Sequence, residues 1–299
     1  MRRAVCVVAL LLAAAGAAWA AGAPEPPSCT DGGDRLTKLT LADRLSHSPQ
    51  LLVLGSSRAR VAMPAFVQQL TGRTTFNAGV RGGAASDEYV FTRLLAQRFP
   101  GQRRAYIVFV DVGIANDGVN PELADEPLAR PFLGADASLR TTSCIPNGVY
   151  RPDGGIAAPP ALDRAEREAR TAATVDQALR NIGSTRPNRS PIERSATRYF
   201  QRMLAFMNAE GATPVLVLNP VYPTVLAALR RRGYSQRRAA AVYLAWLRRR
   251  YRFVVVDCED IRTWGGKASD FLNFDHVDRS NMRRMLRYVV AHSDGVLER

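Results

Sequence analysis

The chain of 299 residues carries 41 lysine and arginine residues against 27 aspartate and glutamate residues, a formal net charge of +14. This length suffices for one large domain or two small ones with a substantial hydrophobic core. The cysteines include no CxxC pair, which excludes a zinc knuckle and a thioredoxin-like motif.

The positive charge would suit a nucleic acid, an anionic lipid or an acidic wall polymer as a partner. Most of the excess, however, is arginine spread along a chain rich in alanine and arginine, which is equally typical of compositional drift. No nucleic-acid-binding motif and no aromatic stacking platform accompanies the charge. We therefore expect no nucleic-acid partner.

The first 20 residues, MRRAVCVVALLLAAAGAAWA, have the pattern of a secretory signal peptide. Arg2 and Arg3 precede an apolar run, and Ala-Trp-Ala at 18–20 places small residues at the cleavage positions. An N-terminal membrane anchor is the alternative, although the run is short for a membrane span. No later segment is apolar enough for one. The pattern predicts an exported protein, periplasmic or secreted after cleavage.

Export would leave three cysteines in an oxidising compartment, where one disulfide and one buried thiol are expected. Cys29 and Cys144 both lie in loop sequence rich in proline and glycine, so we predict that these two form the disulfide. Cys258 ends the apolar run FVVVDC and is expected in the core.

Residues 21–33 are rich in proline and glycine and are predicted to be extended or mobile. We treat 21–49 as a lead-in to a single domain over 50–299. Within that domain, strands are predicted at 51–54, 75–78, 105–112, 215–218 and 253–256. Helical patterns fall near 60–71, 85–98, 190–209, 235–250 and 279–292.

Several of these strands are continuous apolar runs, which is typical of strands buried on both faces of a parallel sheet. The alternation of strands and helices favours an α/β fold, a three-layer sandwich around a mainly parallel five-stranded sheet.

The stretch from about 118 to 189 interrupts this alternation. It contains the turn-forming sequence TTSCIPNGVYRPDGGIAAPP and then a charged helical segment near 162–180. We interpret it as an insertion on the sheet rather than a second domain, and we expect it to determine substrate choice.

Segment 230–252 holds nine arginines and no acidic residue. Ala239, Val242, Tyr243 and Trp246 recur within it at helical spacing. This spacing favours an amphipathic helix with these apolar residues inward and the arginines solvated, rather than a dedicated polyanion site.

Polar and glycine residues follow the first predicted strand, at the carboxyl edge where an open α/β sheet binds its ligands. Gly55, Ser56 and Ser57 stand there. A glycine permits a tight turn, and a hydroxyl beyond it can reach the crevice. By itself this pattern is more typical of a simple turn or a helix cap than of a nucleophile.

Two further strand ends carry comparable residues. FNAGVRGG at 76–83 ends the second strand with an asparagine and glycines whose backbone amides can approach a ligand closely. These residues are Asn77, Gly79, Gly82 and Gly83. The sequence VFVDVGIANDG at 108–118 ends the third strand with Asn116, a potential amide donor.

Histidine is rare in this chain, with three residues in total. His47 and His292 lie in segments that we interpret as surface. His276 stands directly before a helical pattern near the C terminus, so it is the plausible general base.

Together these stretches resemble the SGNH (GDSL-like) hydrolase family, in the right order and over most of residues 50–293. LGSSRA is similar to the family's first block, with serine before the nucleophile, and Ser57 falls at the nucleophile position. NAGVRGG is similar to the second block and puts Gly82 at the oxyanion-hole glycine. In GIANDG, similar to the third block, an ungapped match puts Ala115 at the asparagine position, and Asn116 fits with one inserted residue.

The family's last block is Asp-x-x-His, which here ends in His276. Asn273 stands in the aspartate's place, and Asp275 is adjacent to the histidine instead. Because neighbouring side chains usually diverge, we expect a Ser57–His276 dyad. Its imidazole would be oriented by Asn273 or a backbone carbonyl rather than by Asp275.

The resemblance implies acyl transfer, with Ser57 as nucleophile and His276 as base. The backbone N–H groups of Ser57 and Gly82, with the Asn116 amide, would hold the oxyanion. It implies an exported serine esterase or O-acyltransferase acting on an O-acylated, in particular acetylated, cell-envelope carbohydrate or on a small ester. No metal and no cofactor is implied. The alternative is a catalytically silent polysaccharide-binding module on the same fold, supported by the substituted aspartate and the shifted asparagine.

Overall fold

The computed structural model describes the chain at residues 33–110, 123, 126–134, 150–156, 163–184 and 197–298. The predicted signal segment, the predicted Cys29–Cys144 disulfide, Ala115 and Asn116 lie outside these residues.

Five strands form one sheet in which all neighbouring pairs are parallel, in the order β2-β1-β3-β4-β5. They are β1 (Leu51–Gly55), β2 (Thr75–Asn77), β3 (Ala105–Val110), β4 (Val215–Leu218) and β5 (Val254–Asp257). The α/β fold around a five-stranded parallel sheet is therefore confirmed. The end of the predicted third strand, at 111–112, lies outside the described residues.

Helices connect and cover these strands. They are α1 (Asp34–Asp43), α2 (Pro64–Thr71), α3 (Ala85–Arg98), α4 (Arg130–Leu133), α5 (Arg164–Ser184), α6 (Arg198–Ala209), α7 (Pro223–Arg231), α8 (Ser235–Leu247) and α9 (Arg279–Ala291). Short 3₁₀ turns cover Ala59–Val61, Ile261–Trp264 and Ala268–Asp270. Over the described ranges, no helix is both long and apolar enough to cross a membrane.

Three of these helices, α1, α4 and α7, do not correspond to a predicted helix. Helix α1 lies inside the segment that we separated from the domain as a lead-in, yet it packs in the core. Helix α7 starts at Pro223, a residue that suits the first turn of a helix, directly before the arginine-rich segment.

Strands β1 to β4 are buried on both faces, whereas the edge strand β5 is partly exposed. Successive residues of a strand point to opposite sides of the sheet. In β1, Leu52 and Leu54 contribute to a cluster that includes residues of α1, α3, α6 and α8. Leu51 and Val53 contribute to a second cluster, with residues of α2 and α9. Helices thus cover both faces, which makes the predicted three-layer sandwich and explains why the strands read as continuous apolar runs.

The apolar side of α8 differs from the predicted one. Val242 is 72% exposed, whereas the buried residues of the helix are Ala240, Tyr243, Leu244 and Leu247. The helix is amphipathic as predicted, but its buried face does not include Val242. Tyr243, Leu244 and Leu247 pack instead in the cluster between the sheet and helices α3 and α6.

Cys258 follows β5 and is a buried free thiol, as predicted. It belongs to the cluster on the α2 and α9 face of the sheet. Burial raises the pKa of this thiol, so it stays protonated at neutral pH and is a poor nucleophile.

Helix α1 buries charged residues along with apolar ones. Asp34, Arg35 and Lys38 are 4%, 3% and 0% exposed. The Lys38 ammonium donates to the carbonyl oxygens of Asn77, at 3.0 Å, and Gly79, at 2.5 Å. These three charged residues therefore face the protein rather than the solvent.

Burial lowers the pKa of Lys38 to about 7, and the positive charge of Arg60 acts in the same direction. Asp34 and Asp153 oppose this effect and raise the pKa. Lys38 therefore binds fewer protons in the folded state than in the unfolded chain between about pH 7 and the ordinary lysine pKa of 10.5.

Gly55 ends β1 at φ +138°, a backbone conformation that residues with a side chain rarely adopt. A Cβ atom placed there would lie 2.9 Å from both Cβ and O of Phe109 and 3.0 Å from Cβ of Ala59. The close approach of β3 therefore requires glycine at this position.

Gly55→Ala is expected to lower the free energy of unfolding by about 3 kcal/mol or more, since it combines backbone strain with a steric clash. Gly101→Ala is the matched control, because Gly101 also has positive φ (+74°) but nothing within 4 Å of an added Cβ. It is expected to cost about 1 kcal/mol. Urea denaturation measures both, and equal losses would contradict the role of the Phe109 contact.

The pH dependence of stability is expected to reveal Lys38. As pH rises from about 7 to 10, the wild type should gain stability relative to Lys38→Met, by at most about 1.4 kcal/mol per pH unit. Urea denaturation of both proteins over this range measures the difference. Lys267→Met, at the exposed lysine, is the matched control for loss of a lysine charge. A difference that is flat or falls with pH would contradict the burial effect on Lys38.

Candidate active site

The turn after β1 presents two polar side chains at the carboxyl edge of the sheet. The N–H groups of Ala59 and Arg60 donate to the carbonyl oxygens of Ser56 and Ser57, at 3.0 and 3.3 Å, and wind the chain into a 3₁₀ turn. Ser56 is buried, whereas Ser57 and the following arginine, Arg58, are partly exposed. The turn therefore leaves Ser57 partly exposed at the carboxyl edge of the sheet.

Ser57 and His276 meet across the sheet edge. Ser57 Oγ lies 2.8 Å from His276 Nε2, a hydrogen bond between residues 219 positions apart. This is the contact that a serine nucleophile and its general base need. The other two histidines, His47 and His292, are exposed as predicted.

The expectation that Asp275 would point away from the imidazole is wrong. Asp275 Oδ1 lies 2.7 Å from His276 Nδ1, and Asn273 Oδ1 lies 3.1 Å from the same nitrogen. Both atoms can only accept a hydrogen bond, so Nδ1 carries the proton and Nε2 is left to accept one from Ser57. The three residues form a Ser–His–Asp chain, with Asn273 as a second, longer contact.

A tight turn explains how two neighbouring side chains come together. Asn273 Oδ1 accepts hydrogen bonds from the N–H groups of Asp275, at 2.9 Å, and His276, at 2.7 Å. The N–H of Leu272 donates to the carbonyl of His276 at 2.8 Å and closes the loop. The asparagine in the aspartate's place thus folds the backbone so that the next acidic residue reaches the imidazole.

Arg58 fixes the other carboxylate oxygen of Asp275 in an ion pair between partly exposed and mostly buried side chains. Burial alone would raise the pKa of Asp275, but the hydrogen bond from His276 and the charge of Arg58 outweigh it and hold the pKa below its ordinary value. Asp275 is therefore ionised at neutral pH, as a residue that orients and stabilises an imidazolium must be.

The loop after β2 lies against the turn that carries Ser57. The N–H groups of Ala78 and Val80 donate to the carbonyls of Val53, at 2.8 Å, and Gly55, at 3.2 Å. A Cβ at Gly83 would lie 2.9 Å from the Gly55 oxygen and 3.2 Å from Cα of Ser56. This close backbone approach requires a small residue.

Asn77 ties the same loop to the 3₁₀ turn from inside. This fully buried side chain donates to the carbonyls of Ala59, at 2.9 Å, and Ala62, at 2.6 Å, and accepts the N–H of Gly79 at 2.8 Å. Hydrogen bonds therefore join the turn that carries Ser57 and the loop into one unit.

Two backbone donors of this unit are open. Within the described part of the chain, neither the N–H of Ser57 nor that of Gly82 is bonded to a protein acceptor, whereas the N–H of Gly83 donates to the Val80 carbonyl at 3.2 Å. Open N–H groups of this kind are what an oxyanion hole uses. These two N–H groups are the pair that the sequence predicts for this role, and the third predicted donor, Asn116, lies outside the described residues.

Helix α5, from the predicted insertion, contacts the segment that carries the histidine. Thr171 Oγ1 donates to the carbonyl of Phe271 at 3.0 Å, and Arg167 pairs with Asp278 at 3.3 Å. Between α5 and this segment lies a cavity of about 410 Å³, with Tyr222 and Phe271 in its wall. The insertion therefore shapes the space on one side of the histidine loop.

The sequence contains a signal for the ion pair that we did not use. Ser57 and Arg58 are neighbours, and so are Asp275 and His276, which allows two adjacent residues to meet two adjacent residues. If Ser57 contacts His276, the residues next to them, Arg58 and Asp275, are also brought close together.

Comparison of the chain with protein-family models and with curated proteins finds no match. Support for a function therefore comes from the geometry of the site.

Proposed function

We propose that the protein is an SGNH-like serine esterase or O-acyltransferase. The observation that carries the proposal is the continuous chain of contacts from Ser57 Oγ through His276 to Asp275, beside two open backbone N–H groups. Side chains that only stabilise a loop have no need for a serine, an imidazole and a carboxylate in this order.

In the proposed reaction Ser57 Oγ attacks the acyl carbonyl while His276 Nε2 takes the hydroxyl proton. The negative charge that develops on the carbonyl oxygen is held by the N–H groups of Ser57 and Gly82, and Asn116 is the proposed third donor. The imidazolium, stabilised by Asp275, then gives the proton to the leaving alcohol. Water or an acceptor hydroxyl removes the acyl group by the same steps in reverse, which yields an esterase or a transferase.

The proposed substrate is an O-acylated, in particular acetylated, carbohydrate of the cell envelope. Support for this comes from the signal-peptide pattern at 1–20, which favours export to the periplasm or beyond. The cavity between α5 and the histidine segment supports a role of the insertion in substrate choice.

A catalytically silent binding module is less well supported by the geometry. Its main argument is that asparagine replaces the family's aspartate at Asn273. Asp275 supplies a carboxylate to the same imidazole nitrogen, so this substitution does not remove the charge from the site.

Ser57→Ala is expected to abolish labelling by a fluorophosphonate and turnover of p-nitrophenyl acetate, because Ser57 is the hydroxyl in contact with His276. Ser56→Ala is the matched control and should retain a good part of both, since Ser56 is buried whereas Ser57 contacts His276. Peptide mapping of the labelled serine checks the register. Fluorophosphonate label on Ser56, or an equal loss of labelling and turnover in both variants, would contradict the assignment of Ser57 as the nucleophile.

Asp275→Ala is expected to lower kcat/KM by about 10²- to 10⁴-fold, because the imidazole would lose the group that holds its tautomer and stabilises its charge. Asn273→Asp should change it by less than about tenfold, since a carboxylate can still accept both N–H groups of the turn. Steady-state kinetics on p-nitrophenyl acetate measure both variants. Only a small loss of kcat/KM in Asp275→Ala would instead support the Ser57–His276 dyad that we expected from the sequence.

A further inference from the structure

Helix α1 contains three buried charges that the proposed mechanism does not use. Asp34, Arg35 and Lys38 are almost completely removed from solvent. Burying charges is costly, and an apolar replacement is often as stable as a buried ion pair. Their contacts therefore indicate what they hold.

Lys38 contacts the backbone of the 77–83 loop. Its ammonium donates to the carbonyls of Asn77 and Gly79, at 3.0 and 2.5 Å, and lies 3.4 Å from the Asn77 side-chain oxygen. The group is thus enclosed by acceptors of one short segment. A methionine of similar length would leave these carbonyls without their donor.

Arg35 contacts the same loop one turn further. Its Nη2 donates to the carbonyls of Arg81, at 2.9 Å, and Gly82, at 3.1 Å. Its Nε donates to Asp87 Oδ1 at 2.7 Å, and Asp87 Oδ2 in turn accepts the N–H of Ala84 at 2.9 Å. One guanidinium therefore fixes the loop and the start of α3 together.

Asp34 completes the set by accepting the N–H of Arg81 at 3.2 Å. The three residues of α1 therefore hold the loop at four carbonyls and one N–H. On its opposite side the loop is hydrogen-bonded to the turn that carries Ser57. The Val80 N–H donates to the Gly55 carbonyl, and the Asn77 side chain donates to the Ala59 carbonyl. The segment that ends in Gly82 is clamped between the helix and the turn.

We propose that Lys38 and Arg35 are positioning residues that hold the Gly82 N–H where the oxyanion forms. This inference rests on the proposed acyl transfer. Oxyanion donors act because they are fixed before the charge develops. A glycine amide has no side chain that could fix it, so its position depends on the groups that hold the adjacent carbonyls. Movement of the loop would lower the rate of the chemical step and leave ground-state binding largely unchanged.

Two variants test the inference in the purified protein. Lys38→Met removes the ammonium, and Arg35→Lys keeps a positive charge for Asp87 but loses the fork that reaches two carbonyls. Arg44→Met, at the exposed residue directly after α1, is the control. The measurements are kcat and KM for p-nitrophenyl acetate, the rate of fluorophosphonate labelling at Ser57, and hydrogen exchange of the 77–84 amides, with thermal denaturation to monitor folding.

Lys38→Met is expected to lower kcat and the labelling rate by about tenfold or more, with KM changed by less than about threefold. Exchange should rise in the 77–84 peptide and not in the strands, and Arg35→Lys should show the same pattern more weakly. Folded variants with wild-type kcat and labelling would overturn the inference. So would exchange that rises throughout the protein together with a lower melting temperature, which is the signature of a purely structural role.

Failure of the proposed function gives a different result. Wild-type protein that neither labels at Ser57 nor hydrolyses the ester would remove the acyl transfer and the positioning role with it. Active wild type with unaffected variants would remove the positioning role alone.

Discussion

Two adjacent residues on one loop pair with two adjacent residues on another, and the proposed site depends on this double contact. Ser57 meets His276, and Arg58 meets Asp275. A shift of either loop by one residue would break both contacts together, so the pairing fixes the register across the sheet edge. Gly55 lets the first loop turn sharply, and Asn273 closes the second. The Asp278 side chain then accepts the N–H groups of Ser280 and Asn281 and starts α9 directly behind it.

Much of this arrangement follows from patterns in the sequence. Continuous apolar runs identify strands buried on both faces, and parallel strands bring their carboxyl ends to one edge, where Ser57 is expected. The partner of Ser57, His276, is predicted from the rarity of histidine and from the resemblance to the SGNH family. The orientation of Asp275 does not follow, because it depends on a side chain, Asn273, that bonds to the backbone of the next residues. Competition of this kind between side chain and backbone leaves no periodicity to detect.

Helix α1 escaped prediction for a related reason. Hydrophobic periodicity identifies helices by an apolar stripe, but a large part of the buried side of α1 is charged, with Asp34, Arg35 and Lys38 turned inward. Val242 of α8 is the reverse case, an apolar residue turned outward. In both helices the neighbouring elements determine which side is buried. Helix α1 faces a loop whose carbonyls accept hydrogen bonds from Arg35 and Lys38. Helix α8 faces the α3 and α6 side of the core.

The substituted aspartate of the family pattern therefore has a physical explanation that keeps the site chemically complete. An aspartate three residues before the histidine would orient the ring across one turn of chain. Here Asn273 shapes that turn, and the charge moves to Asp275, where Arg58 holds it. Two roles, closing the loop and placing a carboxylate against the imidazole, are thus divided between Asn273 and Asp275. The turn that Asn273 closes brings this carboxylate to the ring, and the ion pair with Arg58 holds it there. Because Arg58 follows Ser57 in the same turn, this turn carries Ser57 and also holds, through the ion pair, the carboxylate that contacts His276.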